Sequence, residues 1–162
     1  MQIRPARPED LASLEALFEQ VDAHHRERLP ERFRAGTGPA RSHDHLLGLI
    51  HDPASAVLLA DEAGDALGFV QLAVRDTPAL PLFVPRRFAV IDNLVVAAHA
   101  RRRGVGRALM AEADAWARGR GASTTELSVY AINDEAIAFY RALGYHVISY
   151  RMSRDVAAPP VS

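Results

Sequence analysis

The stretch Leu94-Val95-Val96-Ala97-Ala98-His99-Ala100-Arg101-Arg102-Arg103-Gly104-Val105-Gly106-Arg107-Ala108-Leu109 decides how this chain is read. An apolar strand, Arg87–Val96, dense in β-branched residues, runs into a tight loop, and the loop opens an amphipathic helix over about 104–120. Val105, Ala108, Leu109, Ala113 and Trp116 share one face of that helix, and Arg107, Asp114 and Arg118 lie opposite. Glu112 falls inside the apolar stripe, against the pattern. Gly104 and Gly106 allow a sharp turn and the close approach of a bulky anion. Free N–H groups at a helix start carry partial positive charge, and Arg101, Arg102, Arg103 and Arg107 add guanidinium forks that match phosphate oxygens. The loop is therefore read as a phosphate cradle. It is not a P-loop, because no Gly-Lys-Ser/Thr follows, and it is not a dinucleotide fingerprint, because Leu109 stands where the third Gly belongs.

Working outward, a short strand is expected at Gln2–Arg4, then a helix opened by Pro8-Glu9-Asp10 with Leu11, Leu14, Phe18 and Val21 at helical spacing. A polar, proline-punctuated stretch follows from His24 to Ala40. Ser42 reads as the cap of a second helix with Leu46, Leu47 and Ile50 on its apolar face, ending before Pro53. Ala56–Ala60 and Ala66–Val74 read as a hairpin around the acidic turn Asp61–Asp65. Thr77–Pro85 holds three prolines and reads as a loop exposing Leu80, Leu82 and Phe83. Beyond the central helix, alternation over Thr125–Tyr130 predicts a strand, Asn133 caps a helix to Leu143 with Gly144 as its left-handed stop, and Tyr145–Met152 reads as a last strand. The order predicts one mixed α/β domain over 1–155 with a frayed tail over 156–162.

The composition fits such a domain: 162 residues, 49% hydrophobic and 24% charged. Nineteen basic residues, all Arg, face twenty acidic ones for a net charge of −1. That balance argues against nucleic acid or an anionic membrane as a partner and leaves only a local cluster to bind phosphate. The absence of Cys excludes disulfides, thiol catalysis and Cys-ligated zinc. The opening Met1–Pro5 has no signal-like apolar stretch, and no run is long enough to span a bilayer, so a cytoplasmic location is expected. Seven histidines include His24-His25 and His43-x-His45, but adjacent or alternate residues of a helix do not share a face, so no metal site is expected.

Arg101-x-x-Gly104-x-Gly106, after an apolar strand and at a helix start, resembles the acetyl-CoA pyrophosphate loop of the GNAT N-acetyltransferase superfamily. The segment from Asn133 through Ala136, Phe139, Tyr140 and Gly144 to Tyr145 resembles that family's second hallmark, with Tyr145 in place of Phe. The resemblance covers nearly the whole chain. It implies an α/β GNAT fold, with a mixed, mostly antiparallel sheet of six to seven strands flanked by about four helices. It also implies a splayed strand pair that binds CoA.

By the same resemblance, the backbone of Leu94, Val95 and Val96 would pair with pantetheine. The amides of Arg102, Arg103, Gly104, Val105, Gly106 and Arg107 would hold the pyrophosphate, and Arg101 fills the family's Gln/Arg position. Asn133 would cap its helix and touch the CoA arm. Tyr140 aligns with the tyrosine that protonates the departing thiolate and so also borders the cofactor; a phenol of pKa about 10 can deliver that proton. Asp92 would be the base or the amine-binding group. The activity implied is direct transfer of an acetyl group from acetyl-CoA, as co-substrate and without a metal, to a small-molecule or peptide amine. A silent CoA-binding module on the same fold and an atypical mononucleotide-binding domain are the alternatives. Leu80, Leu82 and Phe83 fit either a substrate wall or a homodimer interface.

Overall fold

The computed structural model describes residues 1–38 and 40–156. The expected tail lies outside the described residues apart from the exposed Val156. The chain divides into two compact units, Met1–Ser128 and Val129–Ser162. Among the described residues, no helix is long and apolar enough to cross a membrane.

The first unit holds a sheet in the order β1 (Gln2–Pro5), β2 (Ser55–Glu62), β3 (Asp65–Asp76), β4 (Arg87–Val96) and β5 (Thr125–Leu127). The first three pairings are antiparallel, and β4–β5 is parallel. The β2–β3 hairpin closes through Ala63 and Gly64, both at positive φ, the backbone that a two-residue turn with the twist of its strands requires. Helix α1 (Leu11–Arg28) lays Phe18 on Phe69 of β3, ring centroids 4.5 Å apart. Phe69, Gln71, Ala73 and Arg75 alternate onto that face of β3. Val70 and Leu72 point to the other face and are fully buried, as are Leu109 and Ala113 of α3 (Val105–Gly119), the helix packed against β2, β3 and β4. Helix α2 (His43–His51) packs on β2 with Leu46 inward, and Ser42 Oγ accepts its first-turn bond from His45 N at 3.2 Å.

Three expectations are corrected. Helix α1 runs on through His24–Arg28, five residues placed in an irregular stretch by their polarity. They contain neither Gly nor Pro, and His25, Arg26 and Arg28 put positive charge where the helix dipole favours it, so the helix stops only before Pro30. Glu112 is exposed: the buried face of α3 is Val105, Leu109, Met110, Ala113 and Ala117, which turns the flank carrying Glu112 outward. The sheet has five strands among the described residues, not six or seven. Strand β5 stops at Leu127, and Tyr145–Met152 forms no strand, leaving Val147, Ile148, Tyr150 and Met152 exposed. Alternating β-branched and aromatic residues suit a pleated surface, but a strand exists only through a ladder partner. Among its described residues the second unit holds no other strand to supply one.

Strand β3 approaches β4 with no space to spare at Gly68. A Cβ there would collide with the Val95 carbonyl oxygen and stand 3.1 Å from Val96 Cα. Gly68→Ala is therefore expected to push β4 aside and cost about 1–3 kcal/mol of stability. Urea unfolding measures this, and a change below about 0.5 kcal/mol would contradict the close approach.

Candidate active site

Within the first unit, the sequence-predicted residues gather along β4 and the start of α3. Strand β4 is paired to β3 from Arg87 to Val96 but to β5 only over Ala89–Ile91. From Asp92 onward, its second edge has no ladder partner among the described residues, so Leu94, Val95 and Val96 belong to a half-paired strand. Free backbone groups on such an edge can accept an extended ligand as if it were a further strand.

The chain then turns through a single 3₁₀ turn, Ala98–Ala100, into the loop at α3. Gln20 of α1 fixes this turn by accepting the Ala98 N–H at 3.1 Å. Arg102 sits at φ 63° and Gly104 at φ 81°, two left-handed residues around Arg103. Alternation of this kind turns successive N–H groups toward one concavity, which suits an anion. The first backbone bond of the helix is Ala108 N to Gly104 O, at 3.0 Å. The six N–H groups of Arg102, Arg103, Gly104, Val105, Gly106 and Arg107 donate to no acceptor among the described residues. A Cβ on Gly104 would meet nothing within 4 Å, so glycine is required there by its dihedral angle, not by neighbours. Arg101, Arg102 and Arg107 are exposed and pair with no carboxylate among the described residues. Arg103 differs: its guanidinium is bound by Glu62 at 2.8 Å, while His99 meets Asp65 at 3.0 Å. The acidic β2–β3 turn thus clasps the loop from outside. The donor set fits a polyphosphate with its amides and with three of the four arginines.

Asp92 stands at an irregularity. Gln71 pairs with Asn93, but Leu72 pairs with Ile91, so Asp92 is the extra residue of a β-bulge. Bulges redirect side chains. Asn93 Nδ2 donates to Gln71 Oε1 at 2.8 Å, whereas the Asp92 carboxylate accepts no hydrogen bond among the described residues; its neighbour is Arg75 Nη2 at 3.9 Å. Partial burial pushes the Asp92 carboxyl above the usual carboxylate range, and Arg75 draws it partly back.

The second unit carries the other two predicted residues on α4 (Asp134–Ala142). Asn133 Oδ1 caps this helix from Ala136 N at 3.2 Å. The helix closes on Gly144 at φ 93°, with Gly144 N bonded to Arg141 O and Tyr145 N to Tyr140 O. This is a Schellman closure, and its customary apolar contact is the edge-on packing of Tyr145 against Tyr140, centroids 5.7 Å apart. Burial, followed by the proximity of Tyr145, pushes the Tyr140 phenol up to about 12. The phenol therefore stays protonated at any physiological pH. Sequence reasoning missed Gln20, Gly68, Glu62 and Arg75. Each acts through a contact remote in sequence, and none stands in a local motif.

A model of the acetyltransferase (GNAT) family matches residues 18–145. An uncharacterized N-acetyltransferase, YhfO of Bacillus subtilis, is 29% identical over 145 residues, 90% of this chain and 89% of its own length. An aminoglycoside N(6')-acetyltransferase type 1 of Klebsiella aerogenes is 31% identical over 102 residues, 63% of this chain and 66% of its own. Among solved structures, a tetramutant of the BH1408 protein from Bacillus halodurans superposes with a TM-score of 0.91 at 25% identity, covering 96% of this chain and all of that one.

The raised Asp92 carboxyl has a stability consequence of defined sign. The folded chain holds this proton more tightly than the unfolded chain does. Its stabilising contribution is present below the unfolded pKa of about 3.9 and is lost as pH rises through the raised native value. Asp92→Asn should therefore raise the urea midpoint at pH 7, and the advantage should shrink below about pH 4. An equal or lower midpoint at pH 7 would contradict the assignment.

Proposed function

Because this chain belongs to the acetyltransferase (GNAT) family and is an enzyme of that class, we propose that it transfers an acetyl group from acetyl-CoA to a primary amine by direct attack. The observation that carries this reading is the row of six acceptor-free N–H groups from Arg102 to Arg107 beside the half-paired edge of β4. The amides and the arginines Arg101, Arg102 and Arg107 hold the pyrophosphate. The backbone of Leu94, Val95 and Val96 takes the pantetheine arm as a further strand. Acetyl-CoA supplies an acyl thioester, a carbonyl open to attack with a thiolate as leaving group.

Asp92 binds the acceptor's ammonium and takes up its proton, directly or through water. A carboxylate lifted by partial burial is a better base than an ordinary one. The amine nitrogen then bonds to the acetyl carbon as the carbon–sulfur bond breaks. Tyr140 gives its proton to the departing sulfur, and its closure against Tyr145 keeps the ring in one orientation. Asn133 caps the helix that carries Tyr140, and its touching the CoA arm is read from the family motif alone. The aminoglycoside acetyltransferase among the relatives supports an amine as acceptor.

Thiol release from acetyl-CoA across an amine library tests the activity. Tyr140→Phe should keep acetyl-CoA affinity and lower turnover by about 10²-fold or more; an unchanged rate would remove Tyr140 from the acid role. Gly104→Val forces a β-branched residue into a left-handed backbone that costs an ordinary residue about 1–2 kcal/mol. It should abolish acetyl-CoA binding in calorimetry, and intact affinity would refute the loop assignment. Binding of CoA without thiol release from any amine would make the chain a CoA-binding module instead.

A further inference from the structure

A cavity and a bulge of the first unit each present carboxylates, and they differ in one respect. The cavity of about 200 Å³ between α1 and α2 is lined by Glu15, Glu19 and Asp22 around Phe18. Each of those carboxylates already has its own basic partner. Glu15 meets His43 at 2.8 Å, Glu19 meets Arg26, and Asp22 is bound by Arg41, whose guanidinium also lies 3.9 Å over the Phe18 ring. The carboxylates of that cavity are already engaged.

The second place is the bulge. Asp92 and Arg75 stand on the same face of the β3–β4 ladder, 3.9 Å apart, too far for a hydrogen bond. Both are accessible, with side-chain exposures of 33% and 58%. The Asp92 carboxylate accepts no hydrogen bond and the Arg75 guanidinium donates none among the described residues, although other arginines of this sheet have found partners. Arg86 binds Glu126 at 2.6 Å, and Arg87 grips Asp76 with two bonds. A cation and an anion side by side, each with its hydrogen-bonding capacity unspent, form a fixed dipole open to solvent. Its complement is a molecule with opposite charges at the same short separation. A polycation would have to bring like charge against Arg75 to reach Asp92.

We propose that Arg75 and Asp92 together form the acceptor site for a zwitterionic amine that bears its carboxylate on the amine-carrying carbon, an α-amino acid or a close analogue. Arg75 binds the acceptor carboxylate through its guanidinium fork, and Asp92 holds the ammonium that becomes the nucleophile. Arg75 is thus the specificity-determining residue of the reaction. The assignment of the ammonium to Asp92 rests on the acetyl-transfer reading above, whereas the binding dipole does not require turnover. The alternating face of β3 sets the placement, since Arg75 lies four residues beyond Gln71 on the same face, the side to which the bulge turns Asp92.

Matched pairs decide it. A panel of L-amino acids is titrated by calorimetry against wild type, with and without CoA, beside the same compounds as amides and as decarboxylated amines. At least one amino acid should bind about 10-fold or more tightly than its amide and its amine. In Arg75→Gln that ratio should fall to near one, and Arg75→Lys should restore part of it. Thiol-release kinetics should show the same loss as a rise in KM for amino acids relative to carboxylate-free amines. Equal binding of acid and amide, a preference that survives in Arg75→Gln, or binding of an aminoglycoside but of no amino acid would each overturn the proposal. A failure of acetyl transfer with every amine would instead remove the acetyl-transfer reading, and the titrations made without CoA would still decide the dipole.

Discussion

Strand β4 is paired to β3 from Arg87 to Val96 apart from the bulged Asp92 but to β5 over only three residues, and the arrangement of the first unit depends on that asymmetry. The β3 side has to be tight. Gly68 lies so close to Val95 that no side chain fits between them, Phe69 and Leu72 are sealed in the core, and α1 and α3 are packed against the ladder. That rigidity lets the other edge go without a partner beyond Ile91, because a half-paired strand held by one strong ladder does not need the second. A backbone edge with no partner inside the protein is a place for a ligand to supply one. The bulge at Asp92 falls just where the second ladder ends, so the backbone changes from structural duty to display at a single residue.

The loop after β4 follows the same logic at the level of dihedral angles. Holding Arg102 in a left-handed backbone costs about 1–2 kcal/mol, and Gly104 adopts its own at little cost. What the fold obtains in exchange is six N–H groups without acceptors among the described residues, at the positive end of α3. A net charge of −1 therefore misleads about anions. The capacity proposed for an anion rests on oriented amides and a few local arginines, and one of these, Arg103, is tied to the β2–β3 turn by Glu62. Stability is spent in the same way at Asp92, whose carboxylate is partly desolvated and accepts no hydrogen bond among the described residues.

Features with local causes were legible in the sequence. Ser42 and Asn133 cap their helices through their own side-chain oxygens, Gly104 and Gly144 take the left-handed backbone, and the bounds of β4 fall at Arg87 and Val96 as the apolar run indicates. The shape of the loop was legible for the same reason: turn, glycines and helix start are contiguous. The α1 extension was hidden because polarity was read as irregularity, although no helix breaker interrupts His24–Arg28. Strand number was hidden because Thr125–Tyr130 and Tyr145–Met152 carry the right residue types, while pairing depends on partners that sequence does not display. The bulge is a one-residue register shift between Gln71 and Leu72, invisible in a pattern of period two read on β4 alone. For the same reason, the resemblance could point to Asp92 but not to Arg75, its neighbour across the ladder.

The central claim is that the amides at the start of α3 grip the pyrophosphate of CoA. The most direct measurement is a backbone ¹⁵N–¹H titration of the labelled protein with CoA, with assigned resonances followed residue by residue. The account predicts large, saturable shifts of the Arg102 to Arg107 amides, with smaller ones along Leu94–Val96, and none of comparable size when the nicotinamide dinucleotide replaces CoA. Saturable CoA binding that leaves the Arg102–Arg107 amides unmoved, or equal shifts with the dinucleotide, would contradict it.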